Sequence, residues 1–270
     1  MAKLDRLGWA DGLSFTAYGV RVGIRVNDHA ILRELIQRLP PGAKPSTAQR
    51  VDHLYSITGF PASSNGKVRR FNLGYWNLLR FSRSRDFETL LDEFESQVQL
   101  TVAEYAARRV FVHAGVVAWN GRAIVIPGSS YSGKTTLVEQ LIRAGATYYS
   151  DEYAVLDERG RVHPYARPLG IRTDPTKRAT KIPADKIGAQ VGSKPLPIDL
   201  VISTGFKAGA RWRPRKLTRG KGVLELLANT VSARSQPELA LRVLPKALAS
   251  ARIVKGVRGE ASEIVERILT

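Results

Sequence analysis

The sequence predicts an α/β protein: a mixed sheet with flanking helices, preceded by a small α+β domain. Three observations predict it. An apolar strand, Arg122 to Ile126, runs into the loop Pro127-Gly128-Ser129-Ser130-Tyr131-Ser132-Gly133, and a helix opens with Lys134-Thr135-Thr136. A second apolar run, Val110 to Trp119, joins that strand through Asn120-Gly121, a strong hairpin signal. Residues 1–104 hold strand and helix patterns but no cluster of chemistry-bearing side chains. Residues 1–104 and 105–270 are therefore expected to be separate domains, with substrate recognition as a role for the first.

With 270 residues and 43% hydrophobic content, the chain belongs among globular proteins that bury a real core. It has no cysteine, which excludes disulfides and thiol catalysis. Met1 to Arg6 lack an apolar signal region and no run approaches a membrane span, so a cytoplasmic protein is expected. The net charge of +18 is uneven, for residues 176–270 carry 19 basic and 7 acidic side chains. That surplus favours anionic partners, with a merely solvated surface as the competing reading. No zinc-ligand spacing or RNP-like aromatic motif occurs, which argues against nucleic acid.

In chain order, Ser14 to Val26 reads as a half-exposed strand, with Val20, Val22, Ile24 and Val26 on one face. Asn27-Asp28 caps a helix bearing Ile31, Leu32, Leu35, Ile36 and Leu39, and Pro40-Pro41-Gly42 stops it. Val51 to Ile57 is a strand, Ser63 to Lys67 a turn, and Val68 to Leu73 another strand. Asp86 opens a long helix to about Arg109, with Phe87, Leu90, Leu91, Phe94, Val98 and Val102 toward the core. His29 and His53 are isolated histidines, surface or satisfied. After the loop, Leu137, Leu141 and Ile142 share one helix face, and Gly145 is the stop. A strand from Ala146 ends in Asp151-Glu152, and Tyr153 to Leu156 begins the next. His163 has no acid or hydroxyl beside it in sequence and reads as surface. Residues 174–197 are polar and expected to be mobile, and Ile198 to Ser203 is a strand. Helical segments are expected near 222–234, 237–250 and 260–269, with Pro245 kinking or dividing the second.

The loop fits G-x-x-x-x-G-K-[ST] in full, with Gly128, Gly133, Lys134 and Thr135 on the fixed positions. Its glycines let backbone N–H groups curl around an anion, and the helix start adds unpaired N–H groups and a positive dipole end. Gly128, Ser129, Ser130, Tyr131, Ser132, Gly133, Lys134, Thr135 and Thr136 are thus the candidate nucleotide-phosphate residues. Lys134 is suited to the β- and γ-phosphates, and Thr135 Oγ1 to Mg²⁺. Phosphoryl transfer also needs a carboxylate for the metal and a group to position the acceptor. Asp151 is the expected metal acid and Glu152 the group that orients or deprotonates a hydroxyl. Adjacent strand residues point to opposite faces, however, which leaves a turn cap as the competing reading for one of them. His113, on the hairpin strand, is placed to touch substrate or brace an acid; a core histidine is its competing reading. Arg211, Arg213 and Arg215, around Trp212, are candidates for a phosphate-neutralising lid or an acidic-substrate dock, and Arg258 is a further phosphate candidate.

His113-Ala114-Gly115-Val116, Asn120-Gly121, Gly128 to Thr135 and Asp151-Glu152, in this order, resemble HPr kinase/phosphorylase. That family has a P-loop kinase domain related to phosphoenolpyruvate carboxykinase, and the likeness spans residues 105–160. The resemblance implies an ATP- and Mg²⁺-dependent kinase acting on a hydroxyl, with the first acid on metal, the second near the acceptor, and His113 in the family histidine's position. Tyr131 stands where the family usually has glycine, Ala114 is an extra residue, and Glu152 replaces an aspartate. The family's Glu-containing signature has no counterpart near Arg167-Pro168-Leu169-Gly170, which implies a kinase without the reverse reaction. The stand-alone HPr-kinase-like proteins are the nearer likeness, some of which phosphorylate serine in ribosomally made peptides. Three functions remain open: a Ser/Thr kinase for an acidic peptide or small protein, a kinase for a small-metabolite hydroxyl, and a non-catalytic nucleotide-binding regulator. A homo-oligomer is expected.

Overall fold

The computed structural model describes residues 2–60, 71–128, 132–171 and 180–270. The turn expected at Ser63 to Lys67, the loop residues Ser129, Ser130 and Tyr131, and positions 174–179 of the polar stretch lie outside them. The protein is mixed α/β with mixed sheets, and the chain forms two compact units, Met1–Ala107 and Arg108–Thr270.

The first unit contains α1 (Ala2–Asp5), β1 (Asp11–Ala17), β2 (Val20–Val26), α2 (His29–Ile36), β3 (Lys44–Ser46), β4 (His53–Thr58), β5 (Asn72–Trp76), β6 (Leu79–Ser84) and α3 (Phe87–Tyr105). The sheet order is β3-β1-β2-β4-β5-β6, antiparallel except where β2 meets β4. The single strand expected over 14–26 is two, folded into a hairpin at Tyr18-Gly19, both with positive φ. Apolar residues occur on both sides of that turn, and tyrosine is no signal for a left-handed position. The caps are those the sequence predicts: Asp28 accepts from the Ala30 N–H at 2.7 Å and Asp86 from the Thr89 N–H at 3.0 Å. Ile31, Leu35, Leu90, Leu91, Phe94 and Val98 pack the two helices on Phe15, Val22, Ile24, Tyr55 and Ile57.

The second unit contains β7 (Val110–Trp119), β8 (Arg122–Pro127), α4 (Lys134–Arg143), β9 (Thr147–Ser150), β10 (Tyr153–Leu156), β11 (Val162–His163), β12 (Leu169–Ile171), β13 (Thr180–Ile182), β14 (Ile198–Phe206), β15 (Arg215–Lys216), α5 (Arg219–Leu227), α6 (Pro237–Ala247), β16 (Arg252–Arg258) and α7 (Val265–Leu269). The main sheet runs β11-β10-β7-β8-β14-β16-β15, with β9 also on β7. β7 and β8 form the expected hairpin, turning at Asn120 and Gly121 with positive φ. β8, β14 and β16 are parallel, so their carboxyl ends share one end of the sheet. Ile124, Ile126, Leu200 and Ile202 face α4 and α7; Val116, Val125, Val201 and Ile253 face α5 and α6. Burial on both faces explains why β8 is continuously apolar.

Several further expectations change here, and the helix expected near 222–234 is Arg219–Leu227 followed by a separate 3₁₀ turn at Val231–Ala233. Residues 252–258, which carry no strand in the sequence reading, form the parallel strand β16. Helix α6 runs through Pro245 undivided: the proline forfeits its own bond to the Leu241 carbonyl, and the helix ends two residues later, at Ala247. Residues 261–263 form a 3₁₀ turn before the short α7, so no single helix spans 260–269. The polar stretch also contains β13 and a 3₁₀ turn at 184–187.

His53 is buried and accepts a hydrogen bond from Trp76 Nε1 at 3.2 Å, with the Tyr105 ring beside it. Burial holds its pKa below the usual histidine value, with the Asp52 charge opposing. In that window the unfolded chain binds more protons, so stability should fall as pH drops from about 6.5 toward the depressed folded value. Urea midpoints at pH 7.5 and 5.5 should separate further for the parent than for His53→Phe; equal separations would remove His53 from the pH response.

Candidate active site

Gly133 begins the geometry. It caps α4 in a left-handed conformation, φ +80°, which frees the first N–H groups of the helix toward the loop. Gly128 closes the other end of the loop, donating its N–H to the His113 carbonyl at 3.2 Å. Gly115 sets how near the helix lies to the sheet: a Cβ there would come within 2.5 Å of Val138 Cγ2. This close approach brings Lys134, 9% exposed, under the same strand that carries His113. Thr136 is exposed on the outer side of the helix start.

Asp151 and Glu152 both belong to this site, although they are adjacent in sequence. Neither lies in a strand. Ser150 Oγ accepts from the Glu152 and Tyr153 N–H groups at 3.1 and 3.0 Å, bending the chain between β9 and β10. The strand alternation that would have separated the acids is thereby broken. Thr135 Oγ1 lies 3.4 Å from Asp151 Oδ2, and Tyr148 Oη 3.2 Å from Asp151 Oδ1. Burial pushes the Asp151 carboxyl up, opposed first by the Gly170 N–H and then by Tyr148. Desolvation and then the Asp151 charge push Glu152 up to about 7, against Lys134. The Glu152 side chain is nonetheless 43% exposed, so the acid stands in a crowded cleft mouth rather than a sealed pocket. Burial lowers the Lys134 pKa, with both carboxylates opposing.

His113 Nδ1 lies 3.9 Å from Glu152 Oε1, beyond hydrogen-bond reach, and burial followed by the Lys134 charge lowers its pKa. Its backbone is fixed by N–H donation to the Asn229 carbonyl at 2.7 Å. Arg258, 2% exposed at the end of β16, donates from Nη2 to the Gly133 carbonyl at 2.8 Å and from Nη1 to Gly259. Among the described residues, three buried polar atoms around the loop have no hydrogen-bond partner: His113 Nδ1, Ser132 Oγ and Arg258 Nε. Buried polar atoms are ordinarily paired, so each of these calls for a partner.

The remaining arginines divide. Arg215 lies in β15 beside Lys255, its charge acting on Glu225, which also binds Lys255 and Ser203. Arg211 and Arg213 are exposed on either side of buried Trp212, which packs at Gly256. Neither has an ion pair among the described residues. No three His, Asp or Glu side chains converge on a metal site among the described residues. Thr135 and Asp151 together offer the hard oxygens that magnesium takes from protein when phosphate and water supply the rest.

The sequence reading omits Ser150, Tyr148, Gly170 and Asn229. Only Ser150 had a signal, a hydroxyl just before two acids, where such side chains turn the chain. His163, expected without an acid, binds Asp157 Oδ2 at 2.9 Å through the 157–161 turn.

Gly115→Ala should force α4 off the sheet, costing about 1–3 kcal/mol, and weaken nucleotide affinity. Val138→Ala removes the clashing methyl, so the double variant should regain affinity; failure of that rescue would mean that the contact does not set the helix position. Compared with known family models and with curated proteins, the chain matches none of either.

Proposed function

We propose that this chain is an ATP- and magnesium-dependent kinase of the HPr kinase/phosphoenolpyruvate carboxykinase type. Its acceptor is a Ser/Thr hydroxyl in an acidic peptide or small protein. The observation that carries the reading is the grouping of three buried atoms without a partner among the described residues, His113 Nδ1, Ser132 Oγ and Arg258 Nε, around a loop with the full phosphate-binding pattern. Lys134, Asp151 and Glu152 lie close enough for their charges to act on one another.

In this reading the loop N–H groups and Lys134 grip the β- and γ-phosphates. Thr135 and Asp151 would hold magnesium, which when bound would neutralise charge on the phosphate oxygens. Glu152 receives the acceptor hydroxyl, with His113 beside it on the neighbouring strand, 3.9 Å away. The acceptor oxygen bonds to the γ-phosphorus as the bond from that phosphorus to the β–γ bridging oxygen breaks. ADP leaves, and the acceptor proton passes to Glu152. The open side of Glu152 and the exposed guanidiniums of Arg211 and Arg213, without an ion pair among the described residues, favour an extended acidic acceptor over a small metabolite.

Lys134→Ala should lower phosphotransfer by about 100-fold or more, read as transfer from γ-labelled ATP. Asp151→Asn should keep ATP binding and lose turnover. Parent-like transfer in either variant would refute the assignment, and nucleotide binding without any turnover in the parent would indicate a regulator instead. Arg211→Gln with Arg213→Gln should raise the KM for acidic acceptors several-fold at low salt, and added salt should shrink that difference. An unchanged KM would reduce both to solvated surface.

A further inference from the structure

The surroundings of the phosphate loop differ on its two sides. His113 comes from β7, on one side of the loop strand β8, and Asp151 and Glu152 from the bend next to it. On the other side, β14 and β16 end in Phe206 and Arg258. The phosphate chain of a nucleoside triphosphate is linear. If its terminal phosphate faces the acids, its nucleoside must leave toward the ends of β14 and β16.

Phe206 stands there. Its Cβ is 3.8 Å from the position a Cβ on Gly133 would take, and the residue is 51% exposed. Its exposure leaves a π-face open to solvent beside the start of α4. It is also held in position. The Arg258 guanidinium lies over the ring at 5.7 Å from its centroid, and the next residue, Lys207, donates its N–H to the Arg258 carbonyl at 2.9 Å. Arg258 itself is fixed to the Gly133 carbonyl, and its Nε is one of the unpartnered buried atoms. A single buried side chain thus ties the exposed ring to the loop that would hold the phosphates.

We infer that Phe206 is the platform on which the nucleobase of the bound nucleoside triphosphate stacks, with Arg258 bracing the ring. The inference rests on the nucleotide reading above. Stacking uses the π-face that every base has and does not read base edges. The sequence also lacks the Asn-Lys-x-Asp motif that reads guanine. Purine triphosphates should therefore bind alike.

The test compares ATP, GTP and inorganic tripolyphosphate, each with magnesium, on the full chain by titration calorimetry. Phe206→Ala should weaken ATP binding about tenfold and leave tripolyphosphate unchanged, while Phe206→Trp should retain ATP binding. ATP and GTP should agree within about threefold in the parent. An ATP affinity unchanged in Phe206→Ala would overturn the inference. So would an equal loss for ATP and tripolyphosphate, which would make Phe206 a support of the loop. If the parent bound neither ATP nor tripolyphosphate, the phosphate-loop reading would fall and this inference with it.

Discussion

The ammonium of Lys134 is buried at the first position of α4, and a buried charge is tolerated only where opposite charge or strong acceptors stand close by. The acids beside it meet that requirement. The Ser150 bend turns two consecutive carboxylates toward the ammonium, where a straight strand would have delivered one. Burial is the main cause that pushes both carboxyls up, and for Glu152 the Asp151 charge adds to it. A magnesium ion at Thr135 and Asp151 would favour the ionised forms of both.

Close packing supports the same centre. Gly115 lets α4 approach β7 until Val138 lies over the strand backbone, which brings the helix start against the hairpin. Gly133 turns the chain into that helix in a conformation that side-chain-bearing residues rarely adopt, and Arg258 occupies the space that a Cβ there would need. The loop is thus held at Gly128 through the His113 carbonyl and at Gly133 through Arg258.

The basic surplus of the last third is not uniform in use. Lys255 pairs with Glu225 midway along β16, and the charge of Arg215 acts on the same carboxylate. Arg258 is buried as a brace. Arg211 and Arg213 keep their charges in solvent because Trp212 between them is turned inward. Only such unpaired charges remain for an anionic partner, a smaller set than the composition suggests.

The sequence by itself determined the hairpin, the loop and the start of α4, since Asn120-Gly121, the two fixed glycines and the Leu137, Leu141 and Ile142 face are local signals with local causes. It also determined the helix caps at Asp28 and Asp86, for the same reason. The tertiary structure alone decided β16, whose alternation in Arg-Ile-Val-Lys-Gly-Val-Arg becomes a strand only through pairing with β14, about fifty residues earlier. It likewise decided that Arg258 touches Gly133, across 125 residues, and that Phe206 stands beside them. Local pattern records how a segment folds on itself. Which distant strand ends meet is set by burial of both faces of one sheet, and no short stretch of the chain encodes that alone.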